Sequence, residues 1–194
     1  MKLIEDIRQC TLCEAELPLG ARPILQGAKL SRILIAGQAP GRITHQKGIP
    51  FDDPSGNRLR EWLGVDRETF FDEKLFAIVP MGFCFPGSGK GGDSAPLPRC
   101  AETWRAKLLK ELNQAQLTLV IGKYALDWHL GKPGTVTDIV TDIVTDWREA
   151  KQGILPLPHP SPRNNRWLKL NPWFELELVP ELQRRVKLIL KLSS

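Results

Sequence analysis

Four cysteines, Cys10, Cys13, Cys84 and Cys100, stand in the spacing C-x2-C, seventy residues, C-x15-C. The first ten residues, "MKLIEDIRQC", carry acids at once and no apolar core segment, so they are read as no secretion signal and the compartment as cytoplasmic. A disulfide framework does not suit that setting. The C-x2-C pair lies outside any strand–helix redox context and reads as one half of a metal clamp. Soft thiolates select zinc or an iron–sulfur cluster, and a four-cysteine set serves either.

Two further stretches could do chemistry. "GQAPGRITHQKGIPFDDPSG", Gly37 to Gly56, holds four glycines, three prolines, the adjacent acids Asp52 and Asp53, and Phe51. A loop so rich in turn formers brings backbone close to a ligand. "HPSPRN", His159 to Asn164, places a histidine beside a rigid turn. Other stretches fall away. "PGSGKGGDS" looks like a phosphate loop, but the pattern needs glycine where Cys84 stands and Ser or Thr where Gly91 stands. It is read as a flexible basic loop. His45 and His129 have no partner at metal-ligand spacing, and His129 reads as a packing or surface residue of a helix.

These residues need elements to position them. Short apolar runs recur: "RILIAG", "LFAIVPMG", "LTLVIG" and "ILPLP". Each is strand-length, rich in Ile, Val and Leu, and closed by Gly or Pro. Continuous apolarity predicts strands buried on both faces, as in a parallel sheet. Helical patterns lie between them. "NRLREWLG" opens on an Asn cap candidate, "CAETWRAKLLKELNQ" carries Trp104, Leu108, Leu109 and Leu112 on one stripe, and "YALDWHLG" closes on Gly131. Pro180 starts or kinks a C-terminal helix. The period-four repeat "VTDIVTDIVTDW" predicts a helix packed on the sheet. The expectation is one α/β domain over 1–194, three-layer α/β/α, with a central, mostly parallel four-stranded sheet. Ligands of such folds bind beyond the carboxyl ends of the strands. "GQAPG", "PMGFC", "GKYA" and "PHPSP" all fall there.

The formal net charge is +5, and residues 159–194 hold seven Lys/Arg against three Glu. That distribution fits a surface facing a polyanion. No window approaches eighteen uninterrupted apolar residues, so no membrane span is expected.

"GQAPG" followed by "GIPF", the cysteine spacing and "HPSPRN" together resemble the uracil-DNA glycosylase superfamily over residues 10 to about 175. The set is most similar to the iron–sulfur, family-four glycosylases of thermophiles, in which the first motif reads G-E-A-P-G. "HPSPRN" is also similar to the single-strand-selective branch, and "DPSG" (Asp53–Gly56) to a D-x-S-G segment of another thermophile branch. The resemblance implies a monofunctional enzyme of base excision repair. It would flip a deaminated base out of DNA and hydrolyse its N-glycosidic bond. It implies a [4Fe–4S] cluster on Cys10, Cys13, Cys84 and Cys100, in preference to zinc, and DNA with a damaged base as partner of a monomer. Gly37, Ala39, Pro40, Gly41 and Phe51 would line the base pocket, with Phe51 stacking on the pyrimidine. His159 would stabilise charge on the pyrimidine O2. Ser161, Arg163, Asn164 and Arg166 would contact DNA.

Two departures stand out. Superfamily members that activate water through an Asp or Asn of the first motif carry it where Ala39 stands; the iron–sulfur relatives also have Ala there, with a Glu one residue earlier where this chain has Gln38. Asp53 is therefore the expected carboxylate, Asp52 its rival, and Gln38 a positioner of water. Uracil-specific relatives also carry an Asn before the third cysteine, where this chain has Pro80 and Met81. Either backbone groups read uracil, or the substrate is another damaged base such as hypoxanthine. A cluster-bearing DNA-binding protein without hydrolysis is the third reading.

Overall fold

A computed structural model describes residues 1–89, 92–131 and 153–191. The four apolar runs form the expected strands: β1 (Ile33–Ala36), β2 (Phe76–Ile78), β5 (Leu117–Ile121) and β6 (Ile154–Leu157). They make one sheet in the order β2-β1-β5-β6, parallel throughout. The register pairs Ile33 with both Phe76 and Leu117, and Val120 with Pro156. A strand proline is tolerated because β6 lies at the sheet edge, where one side of its backbone has no neighbour to bond. A small antiparallel hairpin, β3 (Ser88–Gly89) and β4 (Gly92–Asp93), stands apart from the sheet. It occupies the stretch expected to be a flexible loop.

Alternate residues of β1 and β2 feed opposite layers. Ile33, Ile35, Phe76 and Ile78 enter a core closed by helix α3 (Pro54–Leu63), α6 (Lys123–Leu130) and the C-terminal helix Val179–Leu190. Leu34, Ala77 and Val79 enter a second core, with Ile4 and Ile7 of α1 (Lys2–Arg8) and Leu108 of α5 (Pro98–Glu111). Burial on both faces explains why the strands read as unbroken apolar runs.

Helix α3 starts earlier than the Asn57 cap candidate implies. Asp53 is its N-cap, accepting from the Gly56 N–H at 2.8 Å, and Pro54 occupies the first turn, where its missing N–H costs nothing. Ahead of Val179, Phe174–Leu178 form a π-helical turn, and Pro180 sits in the first turn of the helix that follows. The expected helix over "VTDIVTDIVTDW" lies outside the described residues. No helix among the described residues is long and apolar enough to cross a membrane.

Helix α5 carries one residue that no amphipathic pattern calls for. Arg105 is fully buried. It donates to the Val79 and Pro80 carbonyls, both at 3.2 Å, and sits 2.7 Å from His129 Nε2. Arginine has no acceptor, so Nε2 must be the acceptor and the His129 proton sits on Nδ1. Burial, then the Arg105 charge, push the His129 pKa down to about 4.

A depressed histidine pKa means stability that is present above the unfolded value near 6.5 and is lost as pH falls towards the folded value. Wild type is therefore expected to lose about 2 kcal/mol more than His129→Gln between pH 7 and pH 4, allowing for solvent screening. Urea unfolding at the two pH values measures it, and identical losses would contradict the assignment.

Candidate active site

The loops after β1 and β2 are laced together. The parallel ladder does not stop with the strands: Val79 N–H donates to Ile35 O at 2.8 Å, Met81 to Gly37 O at 2.9 Å and Gly82 to Gln38 O at 2.9 Å. Ala39 and Pro96 both pack against Gly82; a Cβ there would meet Pro96 at 2.9 Å. Gln38 lies across Gly122, whose φ of +85° opens α6, and its amide makes no hydrogen bond to described residues. The first loop thus bridges the carboxyl ends of β1, β2 and β5.

Phe51 stands over the start of this loop. Its ring edge comes within 3.8 Å of where a Gly37 Cβ would be, and the side chain is half-buried against the main core. Its backbone is left-handed, φ +54°, a conformation that costs a non-glycine residue about 1 kcal/mol or more. The surroundings enforce it. Arg60 donates to the Phe51 carbonyl at 3.4 Å, and the same carbonyl lies against Gly56 so closely that no side chain fits there. Next along, the Asp52 carboxylate is gripped by Arg67 and by Lys47 (3.2 Å), and the Arg67 hydrogen bond holds its pKa below the usual carboxylate range. Asp52 is a brace for Phe51.

The opposite loop carries His159. Its Nδ1 accepts the Ser161 N–H at 3.2 Å, so the neutral ring carries its proton on Nε2. Burial lowers the pKa. The Asp53 carboxylate opposes that fall, Arg163 adds to it, and Asp93 opposes it. The neutral, Nε2-protonated imidazole is therefore the resting form at neutral pH. Several expected DNA contacts hold this loop in shape. Asn164 Nδ2 donates to the His159 carbonyl at 2.7 Å, Ser161 Oγ accepts from Arg163 N–H at 3.2 Å, and Arg58 of α3 reaches the Ser161 carbonyl at 3.3 Å. Arg166 is exposed. Trp167 packs against Trp173 and Phe174, with centroids 6.0 and 5.8 Å away.

The hairpin β3–β4 closes the rim and supplies residues that the sequence did not single out. The Arg163 guanidinium lies on Gly92, and Asp93 Oδ2 approaches to 3.3 Å of a Cβ placed on Gly41. Asp93 Oδ1 is held by Ser88 Oγ at 3.1 Å. His159, Asp53, Asp93 and Arg163 thus share one electrostatic neighbourhood, contributed by three loops. Only the strand-end positions of these loops hinted at it; nothing in "GGDS" marked Asp93.

The four cysteines are free and line one apolar pocket with Leu12, Leu17, Phe83 and Trp104. Burial pushes Cys84 up to about 11 and Cys100 up to about 12, and each thiol adds to its neighbours' penalty. Main-chain N–H groups already face the sulfurs: Phe83 donates to Cys100 Sγ at 3.4 Å, and the Arg22 backbone bonds Cys84. Arg99 of α5 ties down the N-terminal pair through Leu12 O (3.1 Å) and Glu16 (2.9 Å). Among the described residues no three of His, Cys, Asp and Glu converge tightly enough to hold a single metal ion.

The family model described as the uracil DNA glycosylase superfamily matches residues 25–183. A type-4 uracil-DNA glycosylase from Thermotoga maritima is 25% identical over 161 residues, which span 81% of this chain and 79% of that protein.

Because a Gly56 Cβ would overlap the Phe51 carbonyl, Gly56→Ala is expected to destabilise the protein by about 2–3 kcal/mol. Ser55→Ala, one residue away, should stay within about 0.5 kcal/mol. Thermal unfolding of both variants checks this, and equal midpoints would contradict the brace.

Proposed function

Because the chain belongs to the uracil DNA glycosylase superfamily, we propose that it takes a deaminated base, uracil first, out of the DNA stack and hydrolyses its N-glycosidic bond. One observation carries the reading. The bond from Ser161 N–H to His159 Nδ1 leaves Nε2–H as a donor on the site rim. As the glycosidic bond breaks, the pyrimidine departs with negative charge on O2, and the His159 Nε2–H meets it. One such preorganised donor is worth about 3–4 kcal/mol.

The sugar is left as an oxocarbenium-like cation. Asp53 faces it with a carboxylate whose one oxygen is committed to the α3 cap, so the second is the oxygen that favours the cation and draws a proton from water. Gln38, its amide without a hydrogen-bond partner among the described residues, orients that water. Phe51 gives the extruded base a flat face, with Gly37, Ala39, Pro40 and Gly41 beneath it. Arg163, Arg166 and Ser161 meet phosphates, which fix register without reading sequence. Glu181 already pairs with Arg184 and Arg185, so the cationic excess available to DNA lies nearer His159. The enzyme acts as a monomer in the cytoplasm.

Cys10, Cys13, Cys84 and Cys100 would hold a [4Fe–4S] cluster. The donors fit it: four thiols around one apolar cavity, with N–H groups already facing two of the sulfurs. Such a cluster supplies a cross-link between the N-terminus, the β2 loop and α5. A second reading, hypoxanthine as the base, rests on Pro80 and Met81 standing where uracil-specific relatives carry Asn.

Three variants test these roles. His159→Ala should release uracil from an oligonucleotide about 10²–10³-fold more slowly in single turnover. Asp53→Asn keeps an oxygen for the cap, so its melting temperature should hold while its rate falls at least about tenfold. A His159→Ala rate equal to wild type would overturn the mechanism. Cys13→Ser should lower soluble yield and bleach the brown colour, and a stable, coloured variant would contradict the ligand set.

A further inference from the structure

The backbone from Val79 to Phe83, where uracil-specific relatives place their base-reading Asn, is almost wholly committed. The N–H groups of Val79, Met81 and Gly82 bond Ile35, Gly37 and Gln38, and that of Phe83 bonds Cys100 Sγ at 3.4 Å. Pro80 has no N–H. The Phe83 carbonyl accepts from Ile24 at 2.7 Å. The Val79 and Pro80 carbonyls accept from one nitrogen of Arg105, at 3.2 Å each. Among the described residues, only the Met81 and Gly82 carbonyls of this segment have no partner. The segment therefore offers a base acceptors and no donors.

That inventory has a chemical meaning. A deaminated base presents a ring N–H, N3–H in uracil and N1–H in hypoxanthine, where cytosine and adenine present a lone pair. An acceptor-only backbone attracts the first and repels the second. Arg105 holds the carbonyl side of that inventory, taking up the two carbonyls that precede the free pair. Its guanidinium is fully buried, its Nε has no partner among the described residues, and a second nitrogen is anchored on His129. A cation this deep is retained for what it holds.

We propose that Arg105 is a positioning residue for base recognition: it fixes the Val79–Pro80 peptide planes so that main-chain carbonyls, in place of an Asn side chain, read the ring N–H of a deaminated base. This rests on the glycosylase reading above. Lysine keeps the charge but loses the planar fork that serves two carbonyls and His129 together.

The test compares wild type with Arg105→Lys, and with Arg105→Gln should the first not fold. Amide hydrogen exchange is followed over residues 79–83, with single-turnover release of uracil and of hypoxanthine and binding of DNA carrying a tetrahydrofuran abasic site. In wild type the Met81 and Gly82 amides should exchange at least about tenfold more slowly than exposed loop amides. In the variant their exchange should speed up by a similar factor, and release of each deaminated base that wild type excises should slow about tenfold, while abasic-site affinity stays within about twofold. Fast wild-type exchange, unchanged release rates, or a loss of abasic-site affinity parallel to the loss of rate would each overturn the proposal. A wild type that releases neither base, yet shows the protected amides, would instead overturn the glycosylase reading.

Discussion

The parallel ladder between β1 and β2 runs three bonds past the ends of the strands, and the site is built on that continuation. A loop after a strand normally leaves its N–H groups to water. Here Val79 gives its N–H to Ile35 of β1, and Met81 and Gly82 give theirs to Gly37 and Gln38, so the two loops are tied to each other. Buried backbone groups must find partners, and this pairing satisfies them while keeping the loops at the carboxyl end of the sheet. Gly82 lets Ala39 and Pro96 close over the joint. The first loop and Phe51 over it are both referred to this shared backbone.

The charged groups around it divide the labour by what each already holds. Asp52 is neutralised by Lys47 and Arg67 and locks the strained Phe51 in place. Asp53 caps α3 and still faces His159. Asp93 comes in from the hairpin, held by Ser88 against the first loop. His159 itself is kept neutral by burial and kept in one tautomer by the Ser161 amide. A donor to a leaving oxyanion needs a defined proton on a defined nitrogen, and this loop supplies both. Arg105 does for the β2 loop what Ser161 does for His159: it fixes orientation without touching the reacting atoms.

Much of the architecture was legible in the residues. Strands buried on both faces advertise themselves as unbroken Ile, Val and Leu, and loops at their ends as clustered Gly and Pro, so the sheet, the rim and His159 could be placed. Pro54 was a legible signal for the start of α3, and Asn57 was the wrong cap because a proline at the first turn outranks a later Asn. Arg105 was hidden by its type. It occupies the buried face with Ala101 and Leu108, but an arginine in an amphipathic pattern reads as solvent-facing. Asp93 was hidden because the groups that bring it to the rim, Gly41 and His159, lie fifty and more residues away in sequence. The cysteine spacing pointed to four thiols at one place, and the fold gathers them around one apolar pocket.

The central claim is that these converging loops break the bond between sugar and base. Its most direct measurement is base release by wild type from single- and double-stranded oligonucleotides carrying uracil, hypoxanthine, xanthine or unmodified cytosine, scored by alkaline cleavage of the abasic site. The account predicts release of uracil, with or without the deaminated purines, and none of cytosine. Tight binding of every oligonucleotide with release from none would contradict it and leave a DNA-binding protein in its place.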